Sequence, residues 1–195
     1  MPQWLIILFT GFGVVFLVEL PDKTALATVL LATRNRPLPV FAGVALAVVL
    51  QSMVAVFAGS LVALLPRQLV TISAGLLFIG MAGFLVWRTR RQLAPEAEAA
   101  AGAARPRRPF ITAFTMIFLA EWGDLSQLAT AAFQARYNQA LLVFASATLA
   151  LWLVTALAVT IGNRLGALLP ERPVQYAAAG LMAVIGIVLI SGRLG

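Results

Sequence analysis

Apolar residues run for about 20 positions or more, enough for a membrane-crossing helix, at residues 4–31, 38–64, 68–88, 110–134, 139–163 and 173–192. Short polar breaks separate most of them. "RNRPLP", "LPRQ", "RYNQ" and "LPERP" carry the Pro, Arg and Asn expected at helix ends. One separator is long: "RTRRQLAPEAEAAAGAARPRRP", Arg88 to Pro109, whose charge and Ala/Pro content predict a linker with Glu96 and Glu98 in solvent. The pattern predicts an all-α membrane protein with six transmembrane helices. The first stretch has neither a positive leading region nor a small-residue cleavage site, so a retained span is expected rather than a signal peptide.

The halves resemble each other. "VFAG" at 40–43 returns as "VFAS" at 143–146, "ALLP" at 63–66 returns at 167–170, and "AGL" at 74–76 returns at 179–181. Each half contains three predicted spans, an odd number, so the second copy must enter the membrane upside down relative to the first. The expected organisation is a first three-helix repeat at 1–88, a cytoplasmic linker at 89–109 and an inverted three-helix repeat at 110–195. Inverted repeats of this kind place a binding site near the bilayer midplane, between the copies.

Composition excludes the soluble alternative. Hydrophobic residues make up 62% of the 195 and charged residues 11%, against roughly 45–50% and about 25% in soluble domains. Mean hydropathy is +0.97. With no Cys and no His, thiolate metal sites, disulfides and the usual neutral-pH proton carrier are all excluded. The net charge of +7 sits at the ends of apolar segments, which fits topology and not nucleic-acid binding. A cytoplasmic linker puts Arg34, Arg36, Arg88, Arg90, Arg91, Arg105, Arg107, Arg108, Arg164 and Arg172 inside, leaving Arg67, Arg136 and Arg193 outside. Both termini then face outward. Short loops and the lack of targeting segments favour a bacterial inner membrane, and Trp4 and Trp87 fit interfacial anchors.

Against this hydrocarbon background, "ELPDKTALAT" (Glu19 to Thr28) and "EWGDLSQLAT" (Glu121 to Thr130) stand out. They share Glu, Asp, Leu, Ala and Thr, and Thr24 matches Ser126 in kind. Glu19 and Asp22 are three apart, as are Glu121 and Asp124, so a continuous helix would carry each pair on one face. A charge at that depth costs at least about 2.5–3.5 kcal/mol. The four carboxyls must therefore face one another, water, protons or a cation. Together with Thr24, Ser126 and the Gln127 amide they form a set of hard oxygens, suited to Ca²⁺, Mn²⁺ or Mg²⁺. Clustered, desolvated carboxyls hold protons when no cation is bound, so cation binding displaces protons. That competition is the chemistry of cation/proton exchange, with no resident cofactor.

Pro21 and Gly123 occupy matching positions, where they either unwind the helix and free carbonyl oxygens or only kink it. Lys23 has three readings: a tethered cation competing with the substrate, a snorkelling side chain, or a neutralising partner for Glu19 or Asp22. Its counterpart is Leu125.

Two motifs of the form Glu-x-Gly-Asp-Lys/Arg-Ser/Thr in a six-span repeat resemble the manganese/calcium cation–proton antiporters of Golgi, chloroplast and bacterial membranes. The resemblance covers essentially the whole chain. It departs at Pro21, where the family has Gly, and at Leu125, where it has a basic residue. It implies a divalent cation/proton antiporter, not an enzyme, with Glu19, Asp22, Thr24, Glu121, Asp124, Ser126 and Gln127 at the site and Mn²⁺ or Ca²⁺ as transported substrate. Three rivals remain: an intramembrane hydrolase with Asp22 and Asp124 as an aspartyl pair, a structural polar cluster, and a non-transporting assembly partner. Gly11, Gly13, Gly75, Gly80 and Gly83 suggest close helix packing. Gln51, Ser52, Ser60, Thr148, Thr155 and Thr160 suggest interhelical hydrogen bonds, Gln51 being the most open to a pore-lining role.

Overall fold

The computed structural model describes residues 2–20, 23–91, 108–168 and 171–191, and among these every regular element is a helix. In chain order they are α1 (Gln3–Glu19), α2 (Lys23–Arg34), α3 (Pro37–Val62), α4 (Arg67–Arg91), α5 (Pro109–Ala120), α6 (Leu125–Tyr137), α7 (Ala140–Leu168) and α8 (Glu171–Ile190). Three contain segments long and apolar enough to cross a membrane: Pro37–Val62, Gln68–Trp87 and Ala140–Thr160. The apolar helices Gln3–Glu19 and Pro109–Ala120 are shorter.

Two of the predicted spans are divided. The 4–31 stretch is α1 and α2, and the 110–134 stretch is α5 and α6. The expectation that Glu121 and Asp124 share a helix face is therefore corrected. α5 ends at Ala120 and α6 begins at Leu125, so both acids lie between helices. α4 also continues to Arg91, past the predicted start of the linker. Glu96 and Glu98 lie outside the described residues.

Local chemistry accounts for the helix ends. α3 and α5 open on Pro37 and Pro109, where a missing N–H costs nothing in the first turn. α6 stops at Asn138, whose left-handed φ of 50° suits the residue type most tolerant of it after Gly.

Packing produces two apolar cores. One gathers Ile7, Val14, Phe78, Phe133 and Met182 from α1, α4, α6 and α8, with the Phe78 and Phe133 rings edge to face at 5.3 Å. The other gathers Val15, Val44, Val48, Ile117 and Leu151 with Ala47, Ala113, Ala147 and Ala150. Those alanines let α3, α5 and α7 approach closely, the usual device where lipid removes the hydrophobic drive. Elsewhere glycines do the same. A Cβ on Gly11 would lie 2.7 Å from Ser146 Oγ, and one on Gly75 2.9 Å from the Gly186 carbonyl oxygen. Gly13, Gly80 and Gly83 face open space, which corrects their expected packing role. Outward-facing Phe57, Leu64, Leu119 and Leu141 give the surface the apolar character that lipid accepts.

Candidate functional site

Glu19 closes α1 and Glu121 follows the last residue of α5, and both are buried, at 5% and 3% exposure. Asp124, half-buried, is the N-cap of α6. One carboxylate oxygen from each of the three lies within 4.8 Å of those from the other two. A divalent ion holding oxygens at about 2.1–2.5 Å sets opposite ligands about 4.2–5 Å apart. The cluster thus has the dimensions of a single coordination shell.

The second motif shows how the chain builds such a place. Gly123 has φ 77°, where a side chain would cost roughly 1–2 kcal/mol. Asp124 then starts α6. Its Oδ1 accepts from the Gln127 backbone N–H at 2.9 Å, and its Oδ2 accepts from Ser126 Oγ at 2.7 Å and from the Ser126 backbone N–H at 3.3 Å. These bonds satisfy first-turn donors that have no partner within the helix. The Gln127 side chain bridges the break: Nε2 donates to the Glu121 carbonyl at 2.9 Å, and Oε1 accepts from the Gly123 N–H at 3.0 Å. Both ends of that amide are engaged with backbone, so Gln127 holds the turn that presents the acids.

A third element secures the end of α5. Gln51 of α3, 2% exposed, donates through Nε2 to the carbonyls of Phe118 at 3.2 Å and Ile117 at 3.4 Å. The last carbonyls of a helix need such partners when buried. Gln51 thus makes the interhelical hydrogen bonds expected of it, clamping the end of the helix that leads to Glu121.

Beside the acids lies a cavity of about 20 Å³, lined by Glu19, Glu121, Thr28 and Thr155 and otherwise by hydrocarbon such as Val44 and Leu151. That is room for about one water molecule or one bare ion. Thr28 and Thr155 are absent from the predicted site. Thr28 closes the repeated ten-residue string, a signal that could have found it. Thr155 is on α7, far from either motif, and donates its hydroxyl to the Leu151 carbonyl at 2.7 Å. Of the predicted site residues, the fold brings together Glu19, Glu121, Asp124 and Ser126, with Gln127 at the turn. Pro21 and Asp22 lie outside the described residues, as do the side chains of Lys23 and Thr24.

A family model described as a divalent cation/proton antiporter, GDT1, matches the chain over residues 7–93 and again over 109–194. The chain belongs to the GDT1 family. As a GDT1 protein it exchanges a divalent cation for protons and is a transporter, not an enzyme, which sets the hydrolase reading aside. A Vibrio cholerae protein named as a candidate manganese exporter is 30% identical over 184 residues, covering 93% of this chain and 88% of the relative. The GDT1-like protein 3 of Arabidopsis thaliana is 26% identical over 201 residues, covering 92% of this chain and 68% of its own. No solved structure matches the chain. Among the described residues, Glu19, Glu121 and Asp124 form a group of three acids close enough together to hold one metal ion.

Proposed function

We propose that this GDT1 protein exports Mn²⁺ in exchange for protons, with Glu19, Asp22, Glu121 and Asp124 alternating between cation and protons and with Thr24, Ser126 and Gln127 completing or orienting the shell. The observation that carries this reading is the meeting of three carboxylate oxygens within 4.8 Å, drawn from both motifs. Mn²⁺ follows the name of the Vibrio relative. Ca²⁺ is the second candidate, because a shell of hard oxygens accepts either ion.

The chain would form six spans in two inverted repeats, residues 1–88 and 110–195, joined by a cytoplasmic linker at 89–109, with both termini outside a bacterial inner membrane. Helix pairing supports this. Exchanging α1 with α5, α2 with α6, α3 with α7 and α4 with α8 turns the α1–α7 contact into α5–α3 and the α2–α7 contact into α6–α3, and all four are present. The same exchange turns Gly11 against Ser146 into Ala113 against Gly43, and a Cβ on Gly43 would come within 3.1 Å of the Ala113 Cβ. The twofold match to the family model agrees with it. The divided first and fourth spans give broken helices around the site, as transporters of this plan use.

In exchange, the cation displaces protons from the acids on one side and protons displace the cation on the other. Small movements of one repeat against the other would gate the two sides. The test is pH-gradient-driven flux in sealed proteoliposomes with Mn²⁺, Ca²⁺ and Mg²⁺, comparing wild type with Asp22→Asn and Asp124→Asn. Cation-dependent proton movement that both substitutions abolish is expected, with Mn²⁺ the best substrate. Folded wild-type protein that moves no protons with any cation would overturn the reading.

A further inference from the structure

A second polar feature leaves the acid cluster and runs along the seam between α3 and α6. On α6, Ser126, Thr130 and Gln134 recur every four residues, so they share one face, and all three are at most 3% exposed. Asn138, four further on, ends the helix. On α3, Ser52 and Ser60 are eight apart and so also share a face. Ser52 is buried and Ser60 half-buried.

The two rows face each other. Gln134 Nε2 donates to Ser60 Oγ at 2.9 Å and lies 3.5 Å from Asn138 Oδ1. A Cβ on Gly59 would lie 2.8 Å from the Gln134 Cβ and would strike the Ala131 carbonyl oxygen. At the other end, Gln51 holds the carbonyls of Ile117 and Phe118, just before Glu121. The two helices therefore run in the same direction, away from the acids. The twelve residues from Ser126 to Asn138 advance about 18 Å, so the seam reaches from the cluster to the far end of α6.

Two buried oxygens on this seam, Ser52 Oγ and Gln134 Oε1, have no hydrogen-bond partner among the described residues. Such atoms in native interiors are normally satisfied, by ordered water where protein offers nothing. The close α3–α6 contact at Gly59 leaves no width for a hydrated divalent ion. A single file of water between side chains needs the width of only one water molecule.

We propose that the α3–α6 seam is the proton path of the antiporter: a line of water bridging Ser126, Thr130, Ser60 and Gln134, separate from the cation's route, that connects the acids with the membrane face at Asn138. Gln134 is its positioning residue, fixed by Ser60 and Gly59 with its amide oxygen turned to the water. The proposal rests on the acid cluster being the exchange site.

Two transport modes separate the possibilities. Cation/proton antiport needs protons to enter or leave the site, whereas exchange of labelled Mn²⁺ for unlabelled Mn²⁺ needs none. In proteoliposomes, Gln134→Leu and Thr130→Val are expected to slow pH-gradient-driven Mn²⁺ flux at least about tenfold while leaving Mn²⁺/Mn²⁺ exchange within about twofold of wild type, since proton relays typically contribute that much or more. Gln134→Glu, polar and of equal length, should restore proton-driven flux. An equal loss in both modes, or no loss in either, would overturn the proposal. Asp124→Asn serves as the reference. If it abolishes both modes while Gln134→Leu changes neither, the exchange site stands and the seam falls. If Asp124→Asn leaves both modes intact, the exchange site falls and the seam, which leads to it, falls with it.

Discussion

Glu19 and Glu121 each sit at the end of a helix and contribute to the same cluster, but the chain that follows them differs. After Glu121 comes Gly123 at a positive φ, then a capping Asp124, then Gln127 bridging the turn. After Glu19 the corresponding positions hold Pro21, Asp22 and Ala25. Leu125 packs its side chain on the apolar core built from α1, α4, α6 and α8, while the first copy has Lys23 in its place. Acids, hydroxyls and the closing Thr are thus kept in both copies, and the residues that shape the turn are not. The two motifs agree in their oxygen-bearing side chains and differ in the residues set between them.

Removing an acid should break this equivalence most strongly. A carboxylate a few ångströms from a divalent ion contributes several kcal/mol even at an effective dielectric of about 20, so Glu19→Gln, Glu121→Gln and Asp124→Asn should each weaken Mn²⁺ binding at least about 100-fold. Titration calorimetry on the purified protein measures this. Full affinity in Glu19→Gln beside its loss in Glu121→Gln would mean the two copies do not share one ion.

Giving the second turn the first copy's residue comes next. Gly123→Pro removes the N–H that donates to Gln127 and forbids the observed φ of 77°. A loss of roughly 3 kcal/mol or more is expected, against roughly 1–2 kcal/mol for Gly123→Ala. Thermal unfolding in detergent would rank them, and a stable Gly123→Pro protein would show that the second motif accepts the first copy's residue.

Gln127→Ala copies Ala25 of the first motif. It deletes two hydrogen bonds, about 1–3 kcal/mol together, and loosens the turn that presents Glu121 and Asp124. Transport should fall by about 10-fold, mostly through weaker apparent Mn²⁺ affinity in a flux titration. The smallest effect belongs to Thr155→Val, which removes one neutral oxygen from the cavity wall. A loss of roughly 2- to 10-fold in affinity matches a single hydrogen bond. If Thr155→Val were as damaging as Glu121→Gln, the cavity beside the acids would hold the ion itself.

Much of the site is legible in the order of the amino acids. Seven acids in 195 residues, four of them deep in apolar segments, leave few options, because burying charge is costly wherever it happens. Pro21 and Gly123 announce trouble for a continuous helix. The consequence of that trouble is harder to read. A three-residue spacing predicts Glu121 and Asp124 on one helix face, and the break at Gly123 makes the spacing irrelevant. Gln51 and Thr155 reach the site only because α3 and α7 pack beside it, and no local pattern encodes that. Gln127 stands out in the sequence by its amide oxygen beside the acids and by the resemblance, but its place across the turn depends on backbone geometry that the residue type does not specify. Gly13, Gly80 and Gly83 look like packing glycines only because the residue type is common at helix crossings.

The cluster also sets a schedule for making the protein. Glu19 and Glu121 are brought together from opposite halves, about 100 residues apart in the chain. At about 5–20 residues per second, Glu19 leaves the ribosome several seconds, and up to about 20, before its partners exist. Throughout that interval the first half must keep a carboxyl among hydrocarbon without the neighbours that later surround it, so the site is completed only when the second half arrives.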